Sequence, residues 1–339
     1  MAALVPCPDG TDPPRVIGVG ASAGGLEAVG TLLAGLPASL PAAVLVVIHQ
    51  SEAGPGRLAE LLDRRSPLPV RAACDGAPVV AGDVHVAVPG HHLLLERRTL
   101  RVARGPRENG YRPAVDPLFR SLALEVGPAA LGVVLSGMLD DGAAGLLEIV
   151  RHGGAAAVQD PDEAAFVAMP TAALRQVPGA AVAPAARLAE TLVALLARPA
   201  VGVARTSERL AGEVGVALGH REGWSEPFRE AVGLSCPDCS GPLYEADEPL
   251  LLRYRCRIGH AWSQESLRAG QAVAAERALE TALRALEEKA ALHHRIGRNA
   301  EARGSSRLAD RARETAHDAL ASAAVVRDLL SSPRDGEAW

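Results

Sequence analysis

Ser22 stands in Gly20-Ala-Ser-Ala-Gly24, where the apolar run Arg15-Val-Ile-Gly-Val-Gly gives way to a helix-like Leu26-Glu-Ala-Val-Gly-Thr-Leu-Leu. A serine hydroxyl is a poor nucleophile until an imidazole takes its proton. The imidazole in turn needs a carboxylate to hold its tautomer and stabilise its cation. Candidates for both follow at comparable places. His49 ends the run Ala43-Val-Leu-Val-Val-Ile-His, and the pair Asp140-Asp141 ends Leu131-Gly-Val-Val-Leu-Ser-Gly-Met-Leu-Asp-Asp-Gly142. Either aspartate could instead N-cap the helix that Ala143-Ala-Gly-Leu-Leu predicts. Two patterns overlap at Ser22: the nucleophile elbow G-x-S-x-G and, over Gly18–Ala23, the dinucleotide pattern G-x-G-x-x-G/A. The second asks for an acidic residue at the end of the next strand, about 20 residues on. There the chain has His49-Gln50, with Glu52 just past it. A third reading gives the glycines only a tight turn and close helix–strand packing.

A different chemistry is written further on. Cys236-Pro-Asp-Cys239 and, sixteen residues later, Cys256-Arg-Ile-Gly-His260 supply three thiolates and one imidazole on two turns. That is the donor set of a closed, tetrahedral, structural zinc site, against the alternatives of free reduced cysteines or a redox pair. The intervening Pro-Leu-Tyr-Glu and Leu-Leu-Leu-Arg-Tyr-Arg read as strands of a small ribbon. Cys7 and Cys74 are isolated, so no disulfide framework is expected.

The elements that must position these residues follow from periodicity. Apolar β-like runs at Val16–Gly20, Ala43–Ile48, Val84–Val88, Leu93–Leu95, Leu131–Leu135 and Ala155–Val158 alternate with helical patterns near Gly25–Leu36, Gly56–Arg65, Val115–Leu124, Ala143–Arg151 and Ala186–Ala197. Continuous Val/Ile/Leu runs between helices predict an α/β doubly wound domain with a mostly parallel sheet covered on both faces. In such sheets ligands sit outside the carboxyl ends of the strands. Ser22, His49 and the aspartate pair all fall there. The order Ser–His–Asp differs from that of α/β-hydrolases, but such a set is defined by geometry.

Taken together, these residues resemble the catalytic domain of the chemotaxis-type protein-glutamate methylesterases, the CheB family. The matching pieces occur in the family's order: Ile17-Gly-Val-Gly-Ala-Ser-Ala-Gly-Gly25, Val46-Val-Ile-His49, Val86-Ala-Val-Pro-Gly-His-His92, Arg112-Pro-Ala-Val-Asp-Pro-Leu-Phe119, Leu135-Ser-Gly-Met-Leu-Asp-Asp-Gly142 and Gln159-Asp-Pro with Met169-Pro-Thr-Ala-Ala173. They cover nearly all of residues 15–198. The resemblance implies hydrolysis of glutamate methyl esters on receptors, with release of methanol and glutamine deamidation as a related activity, and no catalytic cofactor. It assigns Ser22 as nucleophile, His49 as base and Asp141 as the orienting acid, since the family's acid directly precedes the glycine matched by Gly142. Its oxyanion donors map to the backbone N–H groups of Ala23 and Met138. Two features depart from the family. Leu139 stands where glycine is usual, and only about 14 residues precede the first strand, where regulated members carry a phosphorylatable receiver domain. Activation through phosphorylation of the same chain is therefore not expected. A non-catalytic regulatory or interaction module that keeps the fold is the alternative.

The plan expected is a loose start at 1–14, a CheB-like domain at 15–199, a linker or weakly ordered helix at 200–232, a zinc-ribbon-like module at 233–262, an α-helical hairpin at 263–331 and a tail at 332–339. The hairpin rests on the stripe Leu279, Leu283, Leu286, Ala290 and Ile296, with Gly304-Ser-Ser as the break. It is expected to pack on itself or on the ribbon, and a partner protein could also dock there. The net charge of −5, with no basic tract, argues against a nucleic-acid partner. No apolar run reaches membrane-spanning length and no signal peptide opens the chain, so a cytoplasmic protein is expected; the resemblance implies the helical region of a methylated receptor as its substrate.

Overall fold

The computed structural model describes residues 15–200, 207–220, 231–246 and 252–332 of the chain. The expected start at 1–14, most of the tail at 332–339 and parts of the 200–232 linker lie outside them.

Strand β1 (Arg15–Ala21) leads through Ser22 into helix α1 (Gly25–Ala34), and β2 (Ala42–Ile48) leads through His49 to α2 (Leu58–Asp63). Two short strands follow, β3 (Val70–Ala72) and β4 (Val84–Val86), then a hairpin of β5 (His92–Glu96) and β6 (Thr99–Ala103). Next come α3 (Val115–Glu125), β7 (Ala130–Val134), α4 (Ala143–Arg151), β8 (Ala155–Gln159), α5 (Ala168–Gln176), β9 (Ala181–Ala183), α6 (Ala185–Leu196) and α7 (Glu208–Ala217). Seven strands form one sheet in the order β3-β4-β2-β1-β7-β8-β9, every neighbouring pair parallel. The strand order reverses beside β1, which is where a doubly wound sheet opens a crevice at its carboxyl edge.

Period-two alternation splits the apolar residues between two cores. Ile17, Val19, Val44, Val46 and Ile48 face Leu32 and Leu33 of α1, Leu62 of α2, and Leu188 and Leu192 of α6. Val16, Leu45 and Val47 face Leu118 and Phe119 of α3, Leu146 of α4 and Met169 of α5. Both faces are thus buried, as continuous apolar strands require.

Three features depart from the sequence pattern. The Leu93–Leu95 run does not join the parallel sheet; it pairs antiparallel with Leu100–Val102 in the β5–β6 hairpin and packs on α3. A short apolar run cannot by itself distinguish the two placements. β3, β9 and α5 were not anticipated, being short or Pro-interrupted. Within the segment read as linker or weakly ordered helix, α7 is a packed helix that sends Leu210 into the second core, capped by the Ser207 side chain accepting from Leu210 N–H.

Beyond α7, β10 (Leu243–Ala246), β11 (Arg253–Cys256) and β12 (Ala261–Ser263) form an antiparallel three-stranded sheet. Helix α8 (Gln264–Ala302) and helix α9 (Ser306–Ser331) complete the chain. The chain divides into two compact units, the first ending at Leu267 and the second beginning at Arg268. In the second, Ala309, Ala312, Ala316, Ala319 and Ala323 of α9 are buried, as are Ala290 and Ala300 of α8, so the hairpin seam is built from small side chains. Arg313 pairs with Glu301 and Arg327 with Glu287 (2.6 Å) across the helices.

Candidate active site

The three strand-end residues meet. β1 is extended by Ser22 N–H donating to Ser136 O (3.0 Å), and β2 by His49 N–H donating to Ala21 O (3.1 Å), so both side chains leave the same edge of the sheet. His49 Nδ1 lies 3.1 Å from Ser22 Oγ, and His49 Nε2 lies 2.7 Å from Asp141 Oδ2. With an ionised Asp141, the network assigns the proton to Nε2 and leaves Nδ1 free to accept from the serine. Gly20 approaches so closely that an added Cβ would sit 2.2 Å from Val115 Cγ1, and Gly24 has φ +71°, so each elbow glycine has its own steric reason. Ser22 itself is not among the described non-glycine residues with positive φ. The left-handed residue of this elbow is Gly24 rather than the nucleophile candidate.

Asp141 is 1% exposed and saturated with donors. Besides His49, its Oδ2 accepts from Val115 N–H (2.6 Å), and its Oδ1 accepts from Asp116 N–H (3.2 Å) and Asn109 Nδ2 (3.0 Å). Burial alone would raise this carboxyl, but the hydrogen bond and charge of His49, joined by Val115 and Asn109, hold it down to about 2. Asp116 goes the other way: burial, then the charge of Asp141, pushes it up to about 8. Asp140, the other member of the pair, turns away from His49 and accepts from Ser263 Oγ (2.7 Å). Burial pushes it up to about 7.

Several residues of the site carried no assignment from the sequence. Tyr111 stacks on the His49 ring, with centroids 3.7 Å apart and planes 9° from parallel. Glu108 and Tyr111 pair across Asn109-Gly110, whose φ values of +52° and +82° make a two-residue type I′ hairpin. The Asn-Gly dipeptide was the readable signal. Glu52 accepts from Arg107 Nε (2.8 Å) and Arg112 Nη2 (3.2 Å), and the three line the cleft with Ser22, His49 and Tyr111. The Arg107 hydrogen bond, acting against burial, keeps the Glu52 carboxyl below its ordinary range. His92 has a structural place, buried between Pro106 O (2.8 Å) and Ala114 N–H (3.2 Å).

Leu139 adopts φ +61°, the left-handed backbone for which glycine is the usual choice. Among the described residues, the backbone N–H groups of Ala23 and Met138 find no acceptor.

Cys236, Cys239, Cys256 and His260 converge into a group that could hold a metal ion, their donor atoms all within 4.8 Å of one another. Cys236 Sγ and Cys256 Sγ each lie 3.6 Å from His260 Nδ1, and Cys239 Sγ lies 3.6 Å from Cys256 Sγ. Tetrahedral zinc, with bonds of about 2.3 Å to sulfur and about 2.0 Å to nitrogen, sets ligand–ligand edges of roughly 3.5–3.8 Å.

A doubly wound parallel sheet thus carries a serine, an imidazole and a carboxylate in hydrogen-bond contact at its carboxyl edge, an arrangement that could activate the serine hydroxyl. The description of the CheB methylesterase family matches residues 17–192, and the chain belongs to that family. It is 41% identical over 188 residues to the protein-glutamate methylesterase/protein-glutamine glutaminase 1 of Xanthomonas campestris pv. campestris, covering 54% of this chain and 52% of that protein. A protein-glutamate methylesterase/protein-glutamine glutaminase 2 of Burkholderia pseudomallei is 41% identical over 198 residues, 58% of each chain. The chain thus spans a little over half the length of these relatives. The crystal structure of the Thermotoga maritima CheB methylesterase catalytic domain superposes with a TM-score of 0.52 at 28% identity, covering 54% of this chain and 99% of that one.

Proposed function

We propose that this chain is a serine esterase that demethylates glutamate methyl esters on chemoreceptor-type proteins, and that it also deamidates glutamine side chains. The observation that carries this reading is the continuous hydrogen-bonded chain Ser22 Oγ–His49–Asp141. The Ser22 oxygen attacks the ester carbonyl as its proton passes to His49 Nδ1. Asp141 stabilises the imidazolium so formed, and its depressed pKa keeps it ionised at neutral pH. The N–H groups of Ala23 and Met138 receive the developing oxyanion. The His49 proton then goes to the leaving methoxide, which departs as methanol, or to the leaving amide nitrogen, which departs as ammonia. Water, deprotonated by His49, cleaves the acyl-serine to give glutamate and restore Ser22. No cofactor takes part in these steps.

The Cys236, Cys239, Cys256 and His260 group is read as a structural zinc site. Three thiolates and an imidazole leave no open position for catalysis. The C-terminal helices offer a surface for a partner protein. Among the described residues no helix is long and apolar enough to cross a membrane, and Cys74, Cys236, Cys239 and Cys256 are all unpaired, which suits the reducing cytoplasm.

The test is methanol release from a methylated receptor. Ser22→Ala is expected to abolish release while the protein keeps its melting behaviour. Undiminished turnover by that variant would sink the reading.

A further inference from the structure

The hairpin that carries Asn109 and Tyr111 is gripped on both sides by the Cys/His module. On one side, Asp238, between Cys236 and Cys239, accepts from Arg107 Nη1 (3.3 Å). On the other, Ala261, which directly follows His260, accepts from Asn109 N–H (2.8 Å) and donates to Arg107 O (3.2 Å). Beyond Ala261, Ser263 N–H (2.9 Å) and Ser266 Oγ (2.9 Å) both donate to Asn109 Oδ1. That fixes which end of the amide faces which neighbour. With its oxygen committed to the module, the amide nitrogen must point at Asp141 Oδ1 (3.0 Å) and Asp116 Oδ2 (3.2 Å). Asn109 is 3% exposed and Ser266 is 1% exposed, so water does not substitute for either partner at low cost.

We propose that Asn109 is a positioning residue for Ser22, His49 and Asp141, and that the Cys/His module holds it in place, so that competence of the site depends on the module being folded. The proposal rests on the esterase reading and on the metal reading given above. An amide donor on Oδ1 supports Asp141 as a carboxylate and fixes the plane in which Oδ2 meets His49. It also lies between two carboxyl groups that would otherwise face each other, one of them raised and one lowered. The same hairpin sets Tyr111 against the imidazole, so a loosened module would release two constraints on His49 together. Nothing in this route needs the metal to touch substrate. The ligands order the two turns, the turns order residues 107–111, and those residues order the site.

The test uses the full chain, a fluorophosphonate probe that labels the reactive serine, and hydrogen exchange of the 107–111 amides. Asn109→Asp keeps size and tolerance of positive φ but replaces the donor by a third carboxylate. Asn109→Gly keeps the φ and removes the amide. Both are expected to slow Ser22 labelling about 10- to 100-fold, the range for a lost hydrogen bond to a buried charge, and to change its pH profile. Ser266→Ala is expected to act in the same direction, and Ser266→Thr to restore the hydroxyl donor. Chelation of the wild type, checked by metal analysis, is expected to remove protection at residues 107–111 and to slow labelling, with a smaller further slowing in Asn109→Gly, where only the Tyr111 constraint is left to lose. Wild-type labelling rates in both Asn109 variants would overturn the proposal, as would unchanged exchange after the metal is removed. Wild-type protein that never labels would refute the esterase reading, and the exchange arm would then decide the coupling of module and hairpin by itself.

Discussion

Replacing Asp141 by asparagine separates the chemistry of the site from its stability. The substitution preserves shape, but only one of its two terminal atoms can accept. Four donors converge on this carboxylate, two at Oδ2 (His49 Nε2 and Val115 N–H) and two at Oδ1 (Asn109 Nδ2 and Asp116 N–H). Either orientation of the new amide therefore turns an N–H group onto two donors. If the oxygen stays with Val115, the imidazolium loses its counter-charge; if the nitrogen turns to His49, the tautomer inverts and Nδ1 can no longer accept from Ser22. The rate of methanol release or Ser22 labelling should fall by about three to four orders of magnitude, the scale of a wrong tautomer in such sets. Stability should change in a pH-dependent way. Asp141 is held at about 2 against a reference of 3.8. A folded pKa below the unfolded one contributes stability that is fully present above about pH 4 and is lost as pH falls through about 2. Nearly two units at 1.36 kcal/mol each give about 2 kcal/mol. Denaturant unfolding at pH 7 should thus find Asp141→Asn less stable by about 2 kcal/mol, with a gap that closes toward pH 2. Near-normal labelling by the variant, or a stability gap constant from pH 7 to pH 2, would refute the reasoning.

Two further outcomes concern backbone and burial. Leu139→Gly should stabilise the fold by about 0.5–1 kcal/mol in denaturant midpoints, because the relief of a left-handed leucine exceeds the entropy cost of glycine, and it should not slow labelling. A lower midpoint would show that the leucine side chain contributes more by packing than its backbone loses. Glu108→Gln should destabilise by about 3–5 kcal/mol. Arg120, Arg253 and Arg255 share Glu108 and Glu213, so the five groups carry +1 and would carry +2 in the variant. A loss under 1 kcal/mol in urea unfolding would contradict the role of this cluster in joining α3 and α7 to the ribbon.

The sheet and its edge were legible because their signals are local. Val16–Gly20, Ala43–Ile48 and Leu131–Leu135 are too apolar to face water on either side, so they had to be internal parallel strands, and the residue after each had to lie at the open edge. The cysteine spacing was equally local. The same logic failed for Leu93–Leu95, whose apolar run carries no mark of which sheet it joins, and for α7, whose buried face is only a few residues long.

Sequence by itself placed a serine, a histidine and an aspartate at the carboxyl ends of three strands of one parallel sheet, and three thiols and an imidazole on two turns; that the three strands are neighbours came from the tertiary structure. Residue types left Asp140 and Asp141 open and the family resemblance pointed to Asp141; the tertiary structure supplies the physical reason, with Asp141 turned inward by the N–H groups of Val115 and Asp116 at the start of α3 and Asp140 outward toward Ser263. Tertiary structure alone brought Tyr111 to the imidazole and Asn109 to Asp141, and laid the ribbon against their hairpin. Those contacts join residues more than 30 and, for Ser263 and Ser266, more than 150 positions apart in the chain. Periodicity reports which face of an element is buried, whereas the partner of a buried amide is chosen only when distant elements close around it.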